Sequence, residues 1–141
     1  MTTPLVIQAE ELDAEPAAWL AERCELVVCR YDDPGFGALL ARADGLIVRT
    51  YTQVTADLLD AAPKLRVVAR AGVGVDNIDL AACWGRGVVV VNTPGANTRA
   101  VVEFVLASVL DAIRPRLFLH QAIDKAEWGA TRKSLEAPLQ L

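Results

Sequence analysis

The sequence predicts an α/β fold, a doubly wound parallel five-stranded sheet followed by a long helix. Short runs rich in Val, Ile and Leu alternate five times with stretches that carry Ala and Leu at helical spacing. Several of these runs are continuously apolar, which is typical of parallel strands covered on both faces. Turn-forming residues separate the two kinds of segment. For five strands joined by right-handed crossovers, the usual order is the flavodoxin-like 2-1-3-4-5.

Each element follows from its own pattern. The five predicted strands are Leu5–Gln8, Glu25–Cys29, Gly45–Val48, Leu65–Ala69 and Val88–Val91. The helices predicted between them are Glu11–Arg23, Phe36–Arg42, Ala56–Ala62 and Leu80–Arg86. Gly85-Arg86-Gly87 predicts a helix C-cap. After the turn residues Asn92-Thr93-Pro94-Gly95, a helix is expected from about Arg99 to Arg114, where Pro115 should end it. We therefore predict an α/β domain over 1–98, a helical segment over 99–119 and a connector over 120–141.

The composition excludes several classes of protein. Apolar residues make up 53 % of the chain and charged residues 23 %, as in globular domains. The net charge of −4 and the lack of a basic stripe argue against a nucleic-acid partner. The longest uncharged apolar core, Phe104–Leu110, is too short to span a membrane, and the acidic run over 9–15 does not resemble a targeting leader. Three cysteines without a CxxC, and a single histidine, argue against a zinc site and predict reduced thiols in a cytoplasmic protein.

Ligands of open α/β sheets bind beyond the carboxyl ends of the strands. There the segment Ala71–Asp79 contains Gly72 and Gly74, whose backbone could approach an anion closely and adopt unusual φ angles. Asp76 and Asn77 are candidate N-caps for the next helix. A dinucleotide fingerprint would need a third glycine where Asn77 stands. A tight structural turn is the alternative reading of the two glycines.

Three further positions offer chemistry. Arg49, followed by Thr50, ends the third strand and could grip a carboxylate or phosphate, or could instead pair with a surface acid. Asn97 could cap the long helix or donate to a ligand. His120 lies in the predicted connector, where no rigid partner would position it, so no catalytic role is expected. The tryptophans Trp19, Trp84 and Trp128 are expected to pack in the interior.

Taken together, these segments resemble the D-isomer-specific 2-hydroxyacid dehydrogenases. The matching segments are Gly45–Arg49, Arg70–Asp79 and Val90–Thr98, with Glu103 in the next helix and a fainter match at Trp128. The resemblance implies that 1–98 is a substrate-binding domain, 99–119 an interdomain helix and 120–141 a connector toward an NAD-binding Rossmann domain.

The resemblance also implies roles for individual residues. The backbone of Gly72, Val73 and Gly74 would hold the carboxylate of a small anionic 2-hydroxy or 2-oxo acid, and Val73 would touch NAD. Arg49, Thr50 and Asn97 would contact the substrate, with 3-phosphoglycerate favoured. The sequence contains no strand followed by GxGxxG, and the catalytic arginine, glutamate and histidine of the family have no counterpart. The chain by itself is therefore expected to be inactive.

Two alternatives belong to other functional classes. A non-catalytic module derived from the same family could bind small anions or self-associate through the apolar faces of the 99–119 helix. A phosphoacceptor receiver domain shares the five-strand architecture. It needs an aspartate at the end of its third strand and a lysine after its fifth, where this chain has Arg49 and Asn92. The receiver reading therefore fails on its residues.

Overall fold

The fold was analysed in a computed structural model that describes residues 3–114 and 120–136. The backbone divides into two units, 1–96 and 97–141, each described below by itself.

The first unit contains a five-stranded sheet in which every strand pair is parallel. The strands are β1 (Leu5–Gln8), β2 (Glu25–Val28), β3 (Gly45–Val48), β4 (Val67–Arg70) and β5 (Val89–Asn92). Their spatial order is 2-1-3-4-5, as predicted. The chain therefore reverses its direction across the sheet beside β1. Because parallel crossovers are right-handed, this reversal distributes the helices over both faces of the sheet.

Burial follows the position of each strand in the sheet. All four residues of the central strand β3 are buried, whereas the edge strands β2 and β5 contain none that is fully buried. Ile7, Leu46, Val48 and Val68 occupy adjacent strands and form the interior with the thiol of Cys83. Continuous apolar runs occur in the edge strands as well, at 26–29 and 88–91, so burial depends on having neighbouring strands on both sides and not on the run alone.

Four short helices connect the strands. They are α1 (Ala14–Ala21), α2 (Phe36–Leu40), α3 (Ala56–Asp60) and α4 (Leu80–Gly85). Asp79, and neither Asp76 nor Asn77, caps α4 by accepting a bond from the amide of Ala82 at 2.8 Å. The predicted C-cap is confirmed, because Gly87 has a φ of 70° and the following amide bonds back into the last turn of the helix.

The second unit contains two helices, α5 (Thr98–Ile113) and α6 (Lys125–Glu136). Residues 115–119 of the predicted helical segment lie outside the described residues. Sequence reasoning missed α6, which falls within the predicted connector. Its signal is a capping box: Asp124 Oδ1 accepts from the amides of Ala126 and Glu127, and Glu127 reaches back to the amide of Asp124.

The expectation that the three tryptophans pack in the interior is wrong. Trp19, Trp84 and Trp128 are all exposed, and Trp84 keeps 86 % of its surface accessible. The prediction for the thiols is confirmed, since the three cysteines are free and two of them are buried. Burial raises the pKa of each thiol, which keeps it protonated and unreactive.

Candidate functional site

The segment after β3 is held by a carboxylate from the end of β1. The two oxygens of Glu10 accept hydrogen bonds from the amides of Arg49 (2.8 Å), Thr50 (2.9 Å), Tyr51 (3.1 Å) and Thr52 (3.0 Å). Burial by itself would raise the pKa of Glu10. The four N–H groups together stabilise the ionised form more strongly, and the pKa falls from 4.5 to about 2. Four consecutive amides therefore have the same charged group, the Glu10 carboxylate, as their hydrogen-bond acceptor.

Arg49 follows β3 directly and lines a cleft of about 510 Å³ beyond the carboxyl ends of β1, β2 and β3. Its guanidinium donates to the backbone oxygen of Glu11 at 3.2 Å, and it forms no salt bridge with any acid in the described residues. Thr50 lines the same cleft. The guanidinium of Arg49 therefore has no ion-pair partner in the described residues, although Glu10 and Glu11 line the same cleft, and it is able to donate to an anion.

Sequence reasoning missed three other polar residues of this cleft. Gln8 is only 7 % exposed, and its Oε1 has no hydrogen-bond partner in the described part of the chain. Tyr31 and Arg30 line the cleft from the side of β2, and Arg30 is paired with Asp32 through bonds of 2.9 and 3.0 Å. Arg30 and Tyr31 follow the edge strand β2, whose end was not predicted to bind a ligand.

The loop after β4 contacts the segment after β3. Val54 and Ile78 form a bridge between the two, and the Nδ2 of Asn77 donates to the backbone oxygens of Arg49 (3.1 Å) and Thr52 (2.7 Å). Asn77 therefore joins the two loops instead of capping a helix. The structure thus brings the loop with Gly72 and Gly74 against the segment that starts at Arg49.

The turn Gly72–Gly74 is held in place by the end of β5. The Nδ2 of Asn92 donates to the backbone oxygen of Val73 at 2.7 Å, and the amide of Thr93 donates to that of Gly72 at 3.0 Å. In the described residues, the amides of Val73 and Gly74 have no acceptor. These two N–H groups are available to an anion.

The reason for glycine in this turn differs from the prediction. Neither Gly72 nor Gly74 has a positive φ. A Cβ at position 72 would collide with the guanidinium of Arg70, and one at position 74 would lie 2.8 Å from Oδ2 of Asp76. Arg70 also donates to the backbone oxygen of Arg49 at 3.1 Å. Unusual backbone angles therefore do not require glycine in this turn. The atoms that a Cβ would meet are the ends of the Arg70 and Asp76 side chains, which would have to shift, and Arg70 adds a second positive charge beside the turn.

Asn97 belongs to the second unit, at the start of α5. Its backbone oxygen accepts the amide of Val101 at 3.0 Å, but its side chain makes no capping bond. The side-chain capping role is therefore not used. His120 is exposed between α5 and α6.

This chain is similar in sequence and structure to known proteins. A family model described as the catalytic domain of D-isomer-specific 2-hydroxyacid dehydrogenases matches residues 6–139. The chain belongs to this family. The D-3-phosphoglycerate dehydrogenase of Mycobacterium tuberculosis is 45 % identical over 117 residues, which cover 81 % of this chain and 22 % of that protein.

Two solved structures show the same relationship. A 2-hydroxyacid dehydrogenase from Ketogulonicigenium vulgare superposes with a TM-score of 0.71 at 28 % identity, covering 100 % of this chain and 43 % of its own. The NAD⁺-bound 3-phosphoglycerate dehydrogenase of Entamoeba histolytica gives 0.65 at 27 % identity, covering 88 % and 43 %. The resemblance to the family and the predicted fold class are confirmed. The chain spans about a fifth of the length of the curated relatives it matches.

The described residues contain neither a membrane-spanning helix nor a metal-binding cluster. No helix there is both long and apolar enough to cross a bilayer. No three His, Cys, Asp or Glu side chains there are grouped closely enough to hold a metal ion.

Proposed function

We propose that this chain is the substrate-binding part of an NAD-dependent oxidoreductase that acts on the CH–OH group of a D-2-hydroxy acid, with 3-phosphoglycerate as the favoured substrate. Membership of the 2-hydroxyacid dehydrogenase family supports the reaction class. The 45 % identity to enzymes named D-3-phosphoglycerate dehydrogenase supports the substrate.

The amides of Val73 and Gly74, which have no acceptor in the described residues, are the observation that carries this proposal, with the Arg70 guanidinium beside the turn and bonded to the backbone oxygen of Arg49. The two N–H groups donate hydrogen bonds to the substrate carboxylate, as in other backbone anion sites. Arg49 provides a guanidinium without an ion-pair partner in the described residues for a second acidic group, which 3-phosphoglycerate has and lactate lacks. We propose Thr50 as a further substrate contact within the first unit. We propose no nucleic-acid or membrane partner, in keeping with the net charge of −4 and the short apolar segments of the sequence.

The cofactor contact of this chain is limited to Val73. Its side chain is 41 % exposed at the turn and offers an apolar surface to a nicotinamide ring. Bound NAD would exchange a hydride with the 2-carbon of the substrate. The pyrophosphate of NAD needs a strand followed by GxGxxG, and the Gly-rich turn of this chain has Asn77 in the third position. We therefore expect the 141-residue chain to bind NADH poorly and to be inactive without a nucleotide-binding domain.

A second candidate function is favoured by the surface of α5. Eight apolar side chains of this helix are between 45 % and 72 % exposed: Val101, Val102, Phe104, Val105, Leu106, Val109, Leu110 and Ile113. A chain with such a helix self-associates through the 99–119 segment to remove apolar surface from water. In this alternative the chain is a non-catalytic module that binds anions or oligomerises. In either case the three free thiols favour the cytoplasm.

Calorimetry with the 141-residue chain tests the proposal. We expect saturable binding of 3-phosphoglycerate, weaker binding of D-glycerate, which lacks the phosphate, and no saturable binding of NADH at micromolar concentrations. Inorganic phosphate that binds as tightly as 3-phosphoglycerate would favour the anion-binding module. Failure to bind 3-phosphoglycerate, hydroxypyruvate or glyoxylate would overturn the substrate-binding role. Micromolar NADH binding would contradict the limited cofactor contact.

A further inference from the structure

The geometry points to Glu10 as a positioning residue: its carboxylate holds the Arg49–Thr52 segment in the conformation that presents Arg49 to an anion. This inference deepens the proposed function and, in its binding part, rests on it. Glu10 itself does not contact the substrate in this view. It acts through the four amides from which it accepts hydrogen bonds.

The hydrogen-bond pattern of the segment supports this role. The donors of the segment converge on Glu10, and two of its acceptors converge on the β4 loop, where Asn77 bonds to the oxygens of Arg49 and Thr52. The segment has no strand or helix of its own over Arg49–Thr52. Its conformation is therefore determined by side chains from two other loops, and all four of its N–H groups depend on one residue.

The four N–H groups around Glu10 explain why a charged side chain, and not a neutral one, accepts their hydrogen bonds. A nest of four N–H groups concentrates partial positive charge, which a neutral acceptor compensates less well than a carboxylate. With Glu10 ionised, these amides are saturated and do not compete for the substrate anion. The free amides for the substrate are then those of Val73 and Gly74. Glu10, an anion of the chain itself, thus binds one group of amides, and the substrate anion is left to bind another.

Removing the charge of Glu10 should change the affinity for the substrate anion in opposite directions, depending on whether Glu10 acts only through its charge or also by positioning Arg49. Glu10 is a negative group at the edge of an anion cleft, so its neutralisation alone would strengthen anion binding. If Glu10 positions Arg49, the Glu10→Gln variant binds 3-phosphoglycerate more weakly in spite of the more favourable charge. Glu11→Gln is the matched control, because Glu11 lines the same cleft and its carboxylate bonds none of the four amides.

Two measurements on the 141-residue chain test the inference. The first is amide hydrogen exchange at Arg49–Thr52 by NMR, which we expect to be at least about tenfold faster in Glu10→Gln than in the wild type and unchanged in Glu11→Gln. The second is calorimetry with 3-phosphoglycerate, for which we expect about tenfold weaker binding in Glu10→Gln and no weakening in Glu11→Gln. Glu10→Asp, which keeps the charge on a shorter stem, should fall between wild type and Glu10→Gln in both measurements.

The outcomes are separable. Wild-type exchange rates at Arg49–Thr52 in Glu10→Gln, or unchanged or stronger anion binding by that variant, would overturn the positioning role. Should Glu10→Gln not fold, Glu10→Asp decides the matter by the same two criteria. The exchange experiment uses no ligand. A wild-type chain that binds no 3-phosphoglycerate would therefore overturn the proposed function, while the exchange rates would still decide whether Glu10 holds the segment.

Discussion

The side-chain Nδ2 of Asn77 lies 2.7 Å from the backbone oxygen of Thr52, and this bond joins the loop after β4 to the segment after β3. The same nitrogen donates to the oxygen of Arg49 at 3.1 Å. Because both hydrogen bonds use one amide group, a change at this position releases two backbone acceptors at once.

Asn77→Ala should lower the free energy of unfolding by about 1–3 kcal/mol, since it leaves the oxygen of Thr52 without its donor and that of Arg49 with the bond from Arg70 alone. The affinity for 3-phosphoglycerate should fall as well, because the two loops lose their connection. Urea unfolding and calorimetry measure the two effects. Gln53→Ala is the control, because Gln53 is exposed in the same segment, and it should stay within about 0.5 kcal/mol of wild type. An Asn77→Ala chain as stable as that control would refute the structural role of Asn77.

Arg49→Ala should weaken binding of 3-phosphoglycerate by about 1.5–3 kcal/mol, the range for charge-assisted hydrogen bonds. In a complete enzyme this would appear as a raised KM. Arg42→Ala removes the same charge from an exposed residue that precedes the amino end of β3, whereas the cleft lies beyond the carboxyl ends of the strands. This control variant should leave the affinity for 3-phosphoglycerate nearly unchanged. Equal losses in the two variants would mean that only the net charge of the chain matters and would remove Arg49 from the site.

The contribution of Glu10 to stability should depend on pH. Its pKa is lowered on folding from 4.5 to about 2, so the ionised form favours the folded state. The stabilisation is fully present above the unfolded pKa of 4.5 and is lost as the pH falls toward the folded pKa of about 2. At pH 7 the wild type should be more stable than Glu10→Gln by about 1–2 kcal/mol, after allowance for the water that screens this partly exposed group.

Urea unfolding of both chains between pH 7 and pH 2.5 measures this dependence. The difference between wild type and Glu10→Gln should be constant down to about pH 5 and shrink below it. A difference that stays the same over the whole range would show that the ionised carboxylate is not what stabilises the Arg49–Thr52 segment.

The exposed face of α5 should drive self-association. Phe104 and Leu110 are 72 % and 63 % exposed, and replacing both with aspartate should shift the chain toward the monomer in sedimentation velocity. Trp84→Gln is the control, since Trp84 is 86 % exposed in the first unit. If Trp84→Gln dissociates the assembly and the α5 variant does not, the contact lies on the α4 surface. A wild-type monomer at high micromolar concentration would contradict self-association altogether.

Much of the fold could be predicted because its signals are local. The apolar runs of β1 and β3 stay buried between neighbouring strands, so a continuous pattern of Val, Ile and Leu was sufficient to find them. Gly87 was recognised as a helix terminus because only glycine adopts its φ of 70° without strain. The missed helix α6 also had a local signal, the Asp124–Glu127 capping box, which its polar composition concealed.

The exposed tryptophans show where composition misleads. Trp84 has the side chain of a core residue, but α4 has only six residues and buries Cys83 against the sheet. Residues on the opposite face of so short a helix have no neighbouring element within the described residues to cover them. Whether an apolar side chain is buried depends on the elements that surround it, and single-residue preference does not contain this information.

The sequence by itself determined the α/β class and the strand ends where a ligand could bind, because periodicity and strand-end position are properties of the chain read in order. The strand order was expected only as the usual one for five strands, and the tertiary structure decided both that order and how the loops are held. The amides of Arg49–Thr52 bond to Glu10, about forty residues earlier, and the carbonyls of Arg49 and Thr52 bond to Asn77, about twenty-five residues later. Hydrogen bonds over such separations form only when parallel strands bring their carboxyl ends to one edge of the sheet, which no local pattern records.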